Sequence, residues 1–265
     1  MLNFNRPDMT DMPDTLQVPT MPPPVEQAVH VRVPDAAPDQ TRSAAASSAA
    51  STATSTATPA QAPMTLTTIE QLETIYGQPH DRAVKKEIPY VNASYRAIIE
   101  ASPFVVLATS GPGGLDCSPR GDAPGFVEVL DERTLALPDR PGNNRIDSLR
   151  NVIADPRVAL LFVVPGIGEM LRVNGRGRIT RDPELLAHFA VDGKLPRTVL
   201  IVDVDAVYFH CSKAMVRSHL WDPAHHVERS QVPSAGEMHR SIVGDGFDVA
   251  TYDRDLAERV RTQLY

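Results

Sequence analysis

The chain has 265 residues, with 33 Asp+Glu against 26 Lys+Arg and a formal net charge of −7, room for one large or two small domains. Its longest uninterrupted apolar run, Val158–Val164, is closed by Pro165 and falls far short of the ~20 residues a spanning helix needs, so no membrane segment is expected. The acidic balance excludes a general nucleic-acid binder. Two cysteines, Cys117 and Cys211, form neither a disulfide framework nor a zinc pattern, which fits a reduced, cytoplasmic setting.

Residues 1–63 hold ten prolines, six acids, three arginines and a single aromatic, Phe4; within them 41–60 are Ala, Ser or Thr except Arg42 and Pro59. Such a stretch buries too little apolar surface to offset its ordering entropy, so 1–63 is predicted to be a disordered tail and 64–265 a folded domain. The opening residues lack a basic start followed by an apolar stretch, so no secretory signal is expected. Met64 offers an alternative start, because a capping pattern follows it at once, with Thr67 or Thr68 ahead of Glu70, Leu72 and Ile75.

Residues 68–76 and about 80–101 read as helices, the second ended by Ser102-Pro103. Phe104–Thr109 is a β-branched run, Gly111-Pro112-Gly113-Gly114 a turn, and Leu115–Pro119 a returning strand. Phe126–Leu130 and Thr134–Leu137 flank Asp131-Glu132-Arg133 as a second hairpin. Residues 143–154 read as a helix with Ile146, Leu149 and Ile153 on one buried stripe. Val158–Val164 is read as a strand buried on both faces, and Met170–Ile179 as a long strand. A helix at 183–190 follows Asp182-Pro183, Thr198–Cys211 is strand-rich, and 212–220 and 236–243 close the domain as helices. Hairpin-linked strands with helices at their ends predict an antiparallel barrel, mainly β, and no dinucleotide-binding unit.

Four segments carry candidate chemistry. In Asp139-Arg140-Pro141-Gly142-Asn143-Asn144-Arg145, Asn143 or Asn144 can cap the helix that follows, and Arg145 sits at the helix end that favours anions. A bound phosphate would reconcile that arginine with the dipole; the plainer alternative is an ion pair with Asp139 or Asp147. Cys117-Ser118-Pro119-Arg120-Gly121-Asp122-Ala123-Pro124-Gly125, with two prolines and two glycines, reads as irregular backbone able to face a planar polar ring, or as a bulge or loop with an Arg120–Asp122 pair. Arg172, Asn174, Arg176 and Arg178 share one parity of a strand and form one polar face. Lys213, Arg217 and Trp221, each about one turn apart, make a basic, aromatic ledge or an amphipathic helix with Trp221 in the core. His219, His225 and His226 lack a ligand spacing, so no metal site is expected, and there is no nucleophile elbow. Such a set points to a phosphorylated organic cofactor.

The runs Phe104–Thr109, 117–126 (Cys-Ser-Pro-Arg-Gly-Asp-Ala-Pro-Gly-Phe), 138–145 (Pro-Asp-Arg-Pro-Gly-Asn-Asn-Arg), 155–162, 172–176 (Arg-Val-Asn-Gly-Arg) and 220–223 (Leu-Trp-Asp-Pro) carry a resemblance. From about Met64 to Tyr265 the sequence resembles the pyridoxamine 5′-phosphate oxidase-like FMN-binding split-barrel proteins, in a bacterial subgroup of unassigned substrate. The resemblance implies a six-stranded antiparallel split β-barrel of Greek-key type with peripheral helices. It implies a homodimer that holds FMN at the subunit interface and acts on a small molecule. Ser118, Pro119, Arg120, Gly121 and Asp122 would lie along the flavin; Asp139, Asn143, Asn144 and Arg145 would serve its phosphate; Lys213, Arg217 and Trp221 would complete the site. Arg217-Ser218-His219 looks like the Arg-x-His that vitamin-converting members use on substrate, but here it precedes the tryptophan, which counts against a pyridoxamine-phosphate substrate. No side chain is assigned as acid or base. Beside an FMN-dependent oxidoreductase stand two alternatives: a non-catalytic flavin- or haem-binding barrel, and a deazaflavin-dependent reductase.

Overall fold

The structure, a computed structural model, describes residues 65–265; the predicted tail lies outside the described residues. Three short helices come first: α1 (Ile69–Tyr76), α2 (Asp81–Lys85) and α3 (Ala93–Ala101). Thr68 caps α1 in a reciprocal box with Gln71. The single helix expected over 80–101 is two, because Pro89 follows Ile88, whose backbone pairs with Val207 instead. Asn92 then caps α3, accepting from the Tyr95 amide.

Seven antiparallel strands follow, one for each of the seven strand segments read from the sequence and one more than the six that the resemblance implies. They are β1 (Phe104–Gly111), β2 (Gly114–Gly121), β3 (Glu128–Asp131), β4 (Thr134–Pro138), β5 (Arg157–Val163), β6 (Met170–Thr180) and β7 (Val199–His210), in the order β2-β1-β5-β6-β7-β4-β3. Buried side chains from β1, β3, β4, β5, β6 and β7 meet in one core, with Leu107, Leu135, Phe162 and Leu171 almost fully enclosed. The sheet therefore curls around its own interior, which makes a split barrel. Tyr95 and Ile99 of α3 join that core. A second cluster, with Leu186 and Phe189 of the α5 region (α5, Pro183–His188) against Val199 and Ile201, covers the outer face of β7.

Two expectations about strands change. Of the run 117–125, only 122–125 leaves regular structure; 117–121 is regular, with β1 and β2 paired in unbroken register from Gly111↔Gly114 to Phe104↔Gly121. Proline is tolerated because β2 is an edge strand. Counting from the two-residue loop, Pro119 opposite Val106 occupies a non-hydrogen-bonded site, where an N–H would point away from β1. In β5, Val158, Leu160 and Phe162 are buried, but Ala159, Leu161 and Val163 on the other face are only half-buried.

Helix α4 (Asp147–Ala154) also departs from its reading. It starts four residues later than expected, and neither Asn143 nor Asn144 caps it; the N-cap is Ile146, with φ 53° and no side-chain cap. Asn144 is left-handed too, with φ 59°. The face turned to the sheet is Ser148, Asn151 and Val152, while Ile153 is 77% exposed. Gly177 makes this possible: a Cβ there would come within 3.2 Å of Val152. After β7 come α6 (Lys213–Ser218), α7 (Ala235–Val243) and α8 (Val249–Thr262). No helix among the described residues is long and apolar enough to cross a membrane.

Candidate functional site

A cavity of about 660 Å³ lies where the end of β2, the 139–146 segment and the first turn of α4 converge, a size typical of small-molecule sites. Ser118, Pro119, Arg120 and Gly121 form one wall; Asp139, Asn143, Asn144 and Arg145 form another. Asp122 stands just behind the first wall. Nine of the twelve expected site residues are thus brought together.

Two reciprocal ion pairs tie the walls. Arg120 Nη1 donates to Asp139 Oδ1 at 2.8 Å, and Arg140 Nε donates to Asp122 Oδ2 at 2.6 Å. The Arg120–Asp122 pair considered from the sequence does not form. Arg145 pairs with Asp147 at 2.8 Å, in the open, and that bond holds its guanidinium above its ordinary pKa. Asn143 accepts from the Arg145 amide, and Asn144 accepts from Arg197, a cavity residue that sequence reading missed. Burial pushes the Asp122 carboxyl up, but hydrogen bonds from Tyr265, the Ala123 amide and Arg140 outweigh it and leave it below the ordinary carboxylate range.

The walls carry an unmet demand. Arg120 Nε and Thr198 Oγ1 are buried in this cavity without a hydrogen-bond partner. Buried polar side-chain atoms nearly always have one. Arg120 and Thr198 both line this cavity, and a guanidinium beside a hydroxyl fits the phosphate and hydroxylated chain of a phosphorylated cofactor. Gly142 leaves further open space on that wall.

Lys213 and Arg217 line a different cavity, of about 340 Å³, with Arg172, Met170 and His210. The β6–β7 register creates it, setting Arg172 opposite Tyr208 and Met170 opposite His210. Arg172 donates to the Tyr208 hydroxyl at 2.7 Å. His210 Nε2 is the third buried polar atom without a partner. Burial, with the charges of Arg172 and Lys86, holds the His210 imidazole below its ordinary pKa. Sequence reading missed His210, although its parity with Tyr208 at the end of the β7 run was a usable signal. Arg176 and Arg178, on the same parity of β6 as Arg172, are exposed as expected of a polar face.

Trp221 lines neither cavity. It is half-buried, neither core nor ledge, and its indole N–H donates to the Ile167 carbonyl at 2.9 Å. Nearby, His219, Asp222 and His225 bring possible ligand atoms within 4.8 Å of one another. Asp222 is already engaged, accepting from the Ala224 amide and pairing with His225, and the His219 and His225 rings are stacked at 4.1 Å.

Residues 91–211 match the profile of the pyridoxamine 5′-phosphate oxidase family. Among solved structures, the chain is similar to HupZ from Group A Streptococcus (16% identity, 44% of this chain and 91% of that one, TM-score 0.37). It is also similar to General Stress Protein 26 from Bacillus anthracis (18% identity, 43% and 88%, TM-score 0.34). A third is a NimC/NimA family protein from Clostridium acetobutylicum (17% identity, 54% and 95%, TM-score 0.32). No curated protein matches the chain.

Proposed function

We propose, from the match of residues 91–211 to the pyridoxamine 5′-phosphate oxidase profile, that the chain is a member of that family and an FMN-binding oxidoreductase acting on a small organic molecule. The observation that carries the reading is the pair of buried, unpartnered atoms, Arg120 Nε and Thr198 Oγ1, in one cavity. Arg120 and Arg145 would hold the phosphate. The extended backbone of 118–121 would lie along the ring, and Asp139 would keep Arg120 oriented. When bound, FMN supplies the electron transfer. The chain's own residues anchor it, orient it and limit water around it.

Lys213 and Arg217 do not share a cavity with Arg120. In a homodimer with FMN at the interface, one subunit supplies the first group and its partner the second. The half-buried face of β5 and the exposed Ile146 and Ile153 are apolar surface suited to such a contact. A cytoplasmic setting accords with two unpaired cysteines.

A second reading, haem in place of flavin, is favoured by His210, whose Nε2 is buried and unpartnered beside Arg172, Lys213 and Arg217. An imidazole can ligate haem iron and cations can hold propionates. The purified protein separates the readings. A flavin spectrum, and FMN by mass in the extract, supports the first; a Soret band supports the second; a deazaflavin mass overturns both. Arg145→Ala is expected to raise the Kd for FMN by roughly ten-fold or more, the loss of one charge-assisted bond. An unchanged Kd removes Arg145 from the site.

A further inference from the structure

Residue Tyr265 reaches back across 143 positions of sequence, and its hydroxyl donates to Asp122 Oδ1. Its carbonyl accepts from Lys194 Nζ at 2.9 Å, and its ring lies beside the Arg140 guanidinium, 5.4 Å from ring centroid to Cζ. Asp122 is the most enclosed member of the two ion pairs that tie the cavity walls, its side chain only 4% exposed. Three donors serve it: Arg140 Nε, the Ala123 amide and Tyr265. Arg140 in turn donates to the Phe189 carbonyl at 2.7 Å. Tyr265 thus seals a chain of bonds that runs from the 189–194 region through Arg140 to the end of β2.

Position matters as much as burial. With Tyr265 on Oδ1 and Arg140 on Oδ2, both oxygens of Asp122 are engaged. Arg140 lines the cavity together with Arg120 and Arg145, so a carboxylate that cannot turn keeps that guanidinium in place on the wall. We propose that Tyr265 is a positioning residue for the cofactor phosphate: it fixes Asp122 and, through it, the Arg140 guanidinium that lines the cavity. The inference rests on the FMN reading above and assigns Tyr265 no contact with the cofactor.

FMN and riboflavin differ only by the phosphate, so titrating the full chain with each, followed by flavin fluorescence, isolates the effect. Tyr265→Phe keeps the ring beside Arg140 and the backbone contact with Lys194, and loses only the hydroxyl. The expected result is an FMN Kd raised about ten-fold with the riboflavin Kd unchanged. Asp122→Asn should lower FMN affinity alike, and the double variant should be no worse than Asp122→Asn alone, since Tyr265 acts through that carboxylate. If Tyr265→Phe keeps the full preference for FMN, or weakens both flavins equally, the inference is overturned while the FMN reading stands. A wild-type chain that binds neither flavin overturns both.

Discussion

At the scale of single residues, the cavity wall is built on alternating charge. Arg120 and Asp122 on one segment meet Asp139 and Arg140 on the other, so each arginine is held by a carboxylate and aimed before any ligand arrives. Removing one member of a nearly enclosed pair leaves its partner uncompensated. Asp122→Ala is therefore expected to cost about 3 kcal/mol, read in a urea melt. The pH dependence follows from the sign of the shift. The folded-state pKa of Asp122 is depressed, so its contribution is fully present above the unfolded value near ~3.9. It is lost as pH falls through the lower folded value. Asp122→Asn should flatten that acid limb, and an unchanged acid limb would place the linkage elsewhere. The types and clustering of Arg120, Asp139 and Arg145 were readable from the chain, because cations beside a helix start imply an anion. Their pairing was not. Which carboxylate holds Arg120 depends on a contact nineteen positions away, and Tyr265 lies farther still.

At the scale of elements, the register of β6 against β7 decides what the smaller cavity contains. The register shifts between Asn174 and Gly175, and the strands approach so closely that a Cβ on Gly175 would sit 2.3 Å from the Asp203 carbonyl. Gly175→Ala should force the strands apart, costing roughly 1–3 kcal/mol by overpacking and disturbing the Arg172–Tyr208 bond. A thermal melt together with a histidine titration of His210 would show both. Elements with strong local chemistry were legible: the Gly111–Gly114 hairpin, Asp182-Pro183 opening α5, and the Thr68 box. Those set by tertiary packing were not. Ile146 takes a left-handed conformation that no β-branched residue advertises. Helix α8 escaped notice, although Tyr252, Leu256 and Val260 recur every four residues.

At the scale of the whole molecule, the family match and the barrel both lie within residues 65–265. The acidic, proline-rich stretch before it contributes −3 of the −7 net charge, so the body carries about −4, and a handful of arginines outweighs that average inside one cavity. A chain begun at Met64 is expected to keep the melting temperature, the sedimentation and the proposed flavin affinity of the full chain. A loss of any of these on removing 1–63 would show that the tail takes part in the fold or the assembly.

The placement of Pro119 in β2 has a consequence for how copies of this barrel can associate. An outermost strand ordinarily offers a row of main-chain donors on which another polypeptide can template itself. With the proline nitrogen on that outer row, and Asp116 and Arg120 charged along the same strand, continuous hydrogen bonding by an incoming strand is interrupted midway. Neighbouring molecules are steered away from runaway sheet growth and toward contact through side-chain surfaces, the kind of contact that the proposed homodimer uses.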